Sequence, residues 1–240
     1  MAAMSVVKTA GIVGGIGPES TIAYYRTLVA EYRRRVQDGS YPPLLINSID
    51  LTRMIGLIGA GKLEAVAEYL AGEVTRLARA GADFAVFASN TPHIVFDDVR
   101  RRVTIPLLSI VEAAADVARA LGRRRVGLLG TRFTMEGSFY PSVFEARGIA
   151  VVAPEAADRA YIHEKYMGEL VGGIIRPETR EGLMAAARRL HHRHHVDAIV
   201  LGGTELPLIL QEPLSPDIPF LDTTAIHVTR IVDEMFEAPR

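Results

Sequence analysis

The sequence predicts an α/β protein made of two pseudo-symmetric parallel-sheet α/β domains with the active-site cleft between them. Three observations carry this. The chain repeats itself weakly at an offset of 113–116 residues, short apolar runs alternate with helical patterns, and the turns after those runs are rich in glycine and hydroxyl residues. Ordered matches at a near-constant offset indicate two similar structural units.

The repeat is visible in three places. "AGIVGGIGPES" (10–20) matches "VGLLGTRFTMEGS" (126–138), with Gly11 and Gly14 falling on Gly127 and Gly130. "ADFAVFASNT" (82–91) matches "VDAIVLGGTE" (196–205), which pairs Asp83 with Asp197 and Ser89 with Gly203. "IPLLSIVEA" (105–113) matches "IPFLDTTAI" (218–226). The repeat divides the chain into an N-terminal α/β domain over 8–115 and a C-terminal one over 116–221. A final helix over about 222–237 is expected to pack back onto the first.

Strands are expected at 10–14, 44–48, 84–89, 105–109, 126–130, 149–153, 198–202 and 218–221, because these runs are short, apolar and rich in β-branched residues. Between them lie helical patterns. Leu63, Val66, Ala67, Leu70, Val74, Leu77 and Ala78 share one face of a helix from about 62 to 80, with Gly81 as its stop. Another helix starts near Pro177 and buries Leu183, Ala186, Ala187 and Leu190. Such alternation gives parallel sheets, whose ligands bind beyond the carboxyl ends of the strands.

Composition narrows the function. Nearly half of the 240 residues are apolar and the net charge is −1, so nothing points to nucleic acid or an anionic membrane surface. The chain has no cysteine, which excludes disulfides, thiolate metal sites and cysteine nucleophiles. No apolar run reaches 18 residues, so no membrane-spanning helix is expected. "MAAMSVVKTAGIVGGIG" reads as a disordered leader and a first strand, not as a signal peptide, and a cytoplasmic location follows as the default.

The candidate site residues follow the strands. In "GGIGPEST" the glycines, Gly15 among them, allow close backbone approach, and Ser20 or Thr21 could cap the helix through "IAYYRTLVAEYRR". In "SNTPH" (89–93), Ser89 is a candidate nucleophile or hydrogen-bond donor, and Asn90 and Thr91 could hold a carboxylate. His93 is the nearest base in sequence; it either serves Ser89 or packs beneath the next helix, and the spacing leaves both open. Thr131 and Thr134 offer hydroxyls at the corresponding turn of the second half, while Lys165 and His163 could reach an acidic substrate or simply line a charged helix face. His191 and His195 in "HHRHH" have metal-binding spacing, but a solvated helix end explains them better and no metal is expected.

"GIVGGIGPESTIAYYR", "SNTPHIVFDDV", "VGLLGTRFTM" and "LGGTELPL" together resemble the aspartate/glutamate racemase family, in order and across nearly the whole chain. The resemblance implies two pseudo-symmetric domains with the site between them, no pyridoxal phosphate or other cofactor, and a homodimer. It also implies two cysteines on opposite faces of the substrate α-carbon, one removing a proton and the other returning it. Their positions are Ser89 and Gly203 here, whereas Asn90, Thr91, Thr204 and Glu205 keep the family pattern. Asn90, Thr91, Thr204 and Lys165 would contact the carboxylates and amine of the substrate. The expected function is therefore proton chemistry at the α-carbon of a small acidic amino acid or dicarboxylate, altered by the loss of both thiols. Alternatives are a lyase, decarboxylase or isomerase in which Ser89, His93 or a water handles the proton, and a non-catalytic carboxylate-binding protein.

Overall fold

The structure, a computed structural model, describes residues 7–238. Residues 1–6, which hold most of the expected leader, lie outside the described residues.

The first half runs β1 (Ala10–Gly14), α1 (Pro18–Val36), β2 (Leu44–Ser48), α2 (Leu51–Gly59), α3 (Leu63–Arg79), β3 (Phe84–Phe87), α4 (Phe96–Arg100), β4 (Leu107–Leu108) and α5 (Ile110–Ala120). The second runs β5 (Arg125–Gly130), α6 (Arg132–Glu136), α7 (Phe139–Glu145), β6 (Ala150–Val152), α8 (Ala156–Gly168), α9 (Pro177–His194), β7 (Ala198–Gly202), α10 (Leu206–Ile209), β8 (Phe220–Asp222) and α11 (Thr223–Phe236). All pairings are parallel, in the orders β2-β1-β3-β4 and β6-β5-β7-β8. The repeat in the sequence is thus a repeat of topology.

The central strands β1, β3 and β7 are buried throughout, which is why their sequences read as continuous apolar runs. Five strands are shorter than, or offset from, their apolar runs: β5 starts one residue early, β6 loses one residue at each end, and β3, β4 and β8 differ for visible reasons. β3 stops at Phe87 and the chain bends away, carrying Ser89 out of the sheet. β4 keeps only Leu107 and Leu108 of the run 105–109; Ser109 instead caps α5, accepting from the Glu112 amide at 3.2 Å. β8 extends to Asp222, whose carboxylate caps α11 by accepting from the Thr224 and Ala225 amides.

α11 packs between α1 and α5 of the first half. Its contacts there include the Lys8–Glu234 ion pair at 2.7 Å and the stacked rings of Tyr32 and Phe236. One core on that side runs through both sheets, joining Ile12, Val86 and Ile110 to Val126, Val200 and Ile231. A second core lies under α3 and α4, and a third under α8 and α9. With the shared core holding the sheets side by side, the loops after β1, β3, β5 and β7 meet at one place.

Candidate active site

That meeting point is a narrow pocket of about 20 Å³, room for roughly one water molecule. Its polar lining is Ser89, Thr91, Thr131, Tyr166 and Glu205. Facing them is an apolar wall of Ile16, Leu51 and Ile55 from the first half and Met167 and Val171 from the second. Ile16 comes from the turn after β1, Leu51 and Ile55 from α2, Met167 from α8 and Val171 from the turn that follows α8. Larger hollows lie elsewhere. The one of about 520 Å³ between α8 and α9 is lined by ion-paired side chains such as Arg189 and Asp158 and shares no residue with this site.

The glycine-rich turn after β1 serves close packing. Gly15 has φ 79°, and a Cβ there would lie 2.4 Å from the Ile49 carbonyl. Gly17 has φ 91°, and a Cβ there would lie 2.1 Å from Glu205 Oε1, so its missing side chain is what admits the carboxyl. The expected cap at Ser20 or Thr21 is corrected: Gly17 is the N-cap of α1 and no side chain caps it. Ser20 sits one turn inside and donates to the Ala88 carbonyl at 3.2 Å, while Thr21 accepts from the Gly15 amide. Both hydroxyls tie the turn to the sheet and neither lines the cavity.

Ser89 and Thr91 reach the cavity, and Thr91 Oγ1 meets Thr131 Oγ1 across the two halves at 3.3 Å. Thr131 caps α6, and its Oγ1 lies 3.2 Å from Thr134 Oγ1, so Thr134 supports Thr131 from behind. Asn90 is turned away. Its Oδ1 accepts from Tyr140 Oη at 2.6 Å and its Nδ2 donates to Thr223 Oγ1, which donates to the Leu201 carbonyl. This chain of bonds stitches the halves together. Tyr140→Phe is expected to leave Asn90 Oδ1 buried without that donor and cost about 1–3 kcal/mol. The readout is a lower urea midpoint at unchanged slope; an unchanged midpoint would contradict the role given to this bond.

His93 cannot serve Ser89, which corrects its candidacy as a base. The Ile110 amide donates to His93 Nε2 at 3.3 Å, so the ring proton sits on Nδ1 and points at the Asn90 carbonyl 3.2 Å away. The ring stacks on Phe96 and meets the edge of Phe87. Burial pulls its pKa down to about 3, and it stays neutral with both nitrogens occupied. Among the described residues no hydrogen bond links Ser89 Oγ to a base.

Lys165 is also not brought to the cavity. Its ammonium pairs with Glu169 at 2.9 Å, along the outer face of α8. The residue after it, Tyr166, points inward with Ile162. Tyr166 was missed in the sequence, although the 162–166–170 spacing placed it on the apolar face and put Lys165 about 100° away. His163 accepts from the Arg132 amide and helps hold α6. The apolar wall and Gly17 were missed as well. Nothing in a leucine or isoleucine of α2 announces a site until the fold turns it toward one.

The second half holds the more unusual feature. A Cβ on Gly203 would lie 2.4 Å from Tyr166 Cε2 and 2.8 Å from its Oη. The ring of Tyr166 therefore occupies the space a side chain at 203 would need. Tyr166 Oη donates to Glu205 Oε2, which also accepts from Thr204 Oγ1 at 3.0 Å. Glu205 is 1% exposed, and burial raises its carboxyl pKa despite these hydrogen bonds. Burial and the neighbouring carboxyl push the Tyr166 phenol well above its ordinary value. Among the described residues no group of three or more His, Cys, Asp or Glu side chains could hold a metal ion. No helix among them is long and apolar enough to cross a membrane.

The arrangement has known counterparts. A candidate Asp/Glu racemase from Yersinia pestis superposes with a TM-score of 0.86 at 32% identity, over 96% of this chain and 100% of that one. An aspartate racemase homologue from Pyrococcus horikoshii gives 0.82 at 32% identity, over the same shares of the two chains. In sequence, the broad specificity amino-acid racemase RacX of Bacillus subtilis is 25% identical over 233 residues, 90% of this chain and 92% of its own. The sequence profile of the Asp/Glu/Hydantoin racemase family matches residues 13–231. With two parallel sheets of the same order meeting at one buried site, and a profile match across nearly its whole length, the chain belongs to the Asp/Glu/Hydantoin racemase family.

Proposed function

We propose that this chain moves a proton at the α-carbon of a small amino acid whose side chain is uncharged, working without a thiol. The observation that supports this is the lining of the cavity. It offers the hydroxyls of Ser89, Thr91 and Thr131 beside an apolar wall, one buried carboxyl, and no lysine, arginine or histidine. Hydroxyl donors suit the one carboxylate that every amino acid carries. A second carboxylate, from an aspartate or glutamate side chain, would be buried without a cation and close to Glu205, which is unfavourable on both counts. The acidic substrate expected from the family resemblance counted Lys165 among its contacts, and the charge of Lys165 is already held by Glu169. The Bacillus subtilis relative, described as an amino-acid racemase of broad specificity, is consistent with this wider class.

The chemistry on the two faces is unequal. The family's usual exchange needs a thiol on each face, and this chain has no cysteine. Ser89 lacks a base, so the face it borders is a poor source or sink of protons. One-sided exchange, with retention of configuration, is the expected outcome.

The test is incubation with both enantiomers of alanine, serine, valine, methionine, aspartate and glutamate in D₂O, following α-deuteration by mass and enantiomer content by chiral chromatography. Deuteration of a neutral amino acid that outpaces its racemisation is expected. Faster exchange of aspartate or glutamate than of any neutral member would overturn the substrate class. Binding by calorimetry with no exchange across the panel would overturn the enzyme reading in favour of an amino-acid-binding protein.

A further inference from the structure

The face that Gly203 leaves bare is not empty, because Tyr166 fills it. We infer that Tyr166 and Glu205 act together as the proton carrier of that face, Tyr166 at the substrate and Glu205 behind it. The inference rests on the proposed α-carbon chemistry and names the groups that perform it.

Three geometric facts support it. The phenol oxygen lies 2.8 Å from where a side chain at 203 would begin, so an exchangeable proton sits close to where a thiol on that residue would place its sulfur. Tyr166 and Glu205 both line the cavity that Ser89 lines, and both are buried. Finally, the phenol donates to a carboxyl that Thr204 also bonds, so the pair is oriented before any ligand arrives. Gly17 and Gly203 each make room for one member, with a Cβ at Gly17 meeting Glu205 Oε1 and a Cβ at Gly203 meeting the Tyr166 ring.

The step balances without an added reagent. As the substrate Cα–H bond breaks, its proton goes to the phenol oxygen, and the phenol's own proton passes to the Glu205 carboxylate. The electron pair left on the α-carbon delocalises into the substrate carboxylate, whose oxygens accept hydrogen bonds from the cavity hydroxyls. Reversal returns a proton to the same face. Direct removal by tyrosine alone would leave a buried phenolate, which is unfavourable; coupling to Glu205 avoids it. The burial that raises the Glu205 pKa also makes it a stronger base than an exposed carboxylate.

The experiment compares α-deuteration by the unaltered chain, Tyr166→Phe and Glu205→Gln, using whichever of alanine, serine, valine or methionine the unaltered chain exchanges fastest. Tyr166→Phe keeps the ring that fills the space at 203 and removes only the hydroxyl. At saturating amino acid its exchange rate is expected to fall by about 10²–10⁴-fold, with the calorimetric Kd changed by less than about tenfold. Glu205→Gln, which keeps the size of the side chain and an acceptor for the phenol, is expected to fall similarly and covers the case in which the first variant does not fold. A Tyr166→Phe rate within about tenfold of the unaltered chain would overturn the relay and leave the proposed function standing. Absence of exchange by the unaltered chain would overturn both.

Discussion

Replacing Gly203 by cysteine or alanine is expected to destabilise this protein, not to restore a proton carrier. Comparison of the two half-repeats alone suggests the opposite, since Gly203 stands where the family's second thiol belongs. The structure shows why the substitution fails. A Cβ at 203 would approach Tyr166 Cε2 to 2.4 Å, and the ring is held by its hydrogen bond to Glu205. Either the ring is displaced, breaking a buried hydrogen bond, or the backbone after β7 shifts. Overpacking of this kind costs about 1–3 kcal/mol, or a Tm lower by roughly 2–12 °C for a chain of this size. Tyr166→Ala is itself expected to cost stability through the cavity it leaves. Paired with Gly203→Ala it should cost less than the sum of the two, with a coupling of about 0.5–3 kcal/mol. Additive effects would show that the ring and residue 203 do not compete for space. By the same argument, a return to thiol chemistry needs Ser89→Cys and Gly203→Cys made on a Tyr166→Ala background.

Acidification from pH 7 to pH 5 is expected to weaken the fold through two buried histidines. His93 and His227 are both fully buried, and burial lowers each to a pKa of about 3. An unfolded histidine takes up its proton near 6.5, so between about 6.5 and 3 the unfolded chain binds two protons that the native chain does not. Stability is therefore present in full above the unfolded value and is lost as the pH falls through it. From pH 7 to pH 5 the two rings together are expected to remove roughly 2–4 kcal/mol. The upper end neglects Glu205 and Asp222, whose pKa values burial raises; as the pH falls they take up protons more readily in the native chain than in the unfolded one and act in the opposite direction. Urea unfolding at the two pH values measures the loss, and nitrogen NMR of the rings measures the cause. Equal stability at pH 5 and 7, or a His93 ring titrating near its ordinary value, would contradict the packed, neutral His93 described above.

Much of the fold was legible in the sequence because its signals are local. All eight strands lie on the short apolar runs, since a strand buried on both faces has few other compositions available. The helix expected over 62–80 spans Leu63–Arg79, and the one expected near Pro177 starts there, because periodicity and end signals reside within the segment itself. The capping of α1 was misjudged, since Ser20 and Thr21 had partners just after β3 and in the preceding turn that no local pattern reveals.

The candidate site was half legible. The repeat paired Ser89 with Gly203 and drew attention to Thr91, Thr131 and Glu205, all of which do sit at or beside the cavity. His93, Asn90 and Lys165 were equally prominent in the sequence, and each proved to be engaged elsewhere: His93 with two backbone groups, Asn90 with Tyr140 and Thr223, Lys165 with Glu169. Residue type and spacing say what a side chain can bind; they do not say what binds it first.

By itself, then, the sequence determined the α/β class, the duplication, the strand positions and the absence of any thiol. These follow from periodicity, repetition and composition, all of which can be read along the chain. Only the tertiary structure decided what stands in the place of the missing thiol. Tyr166 and Gly203 are separated by 37 residues and carry no shared motif. Their relation is one of excluded volume, a ring from α8 occupying the space that a glycine after β7 leaves free, and excluded volume exists only once the chain has folded.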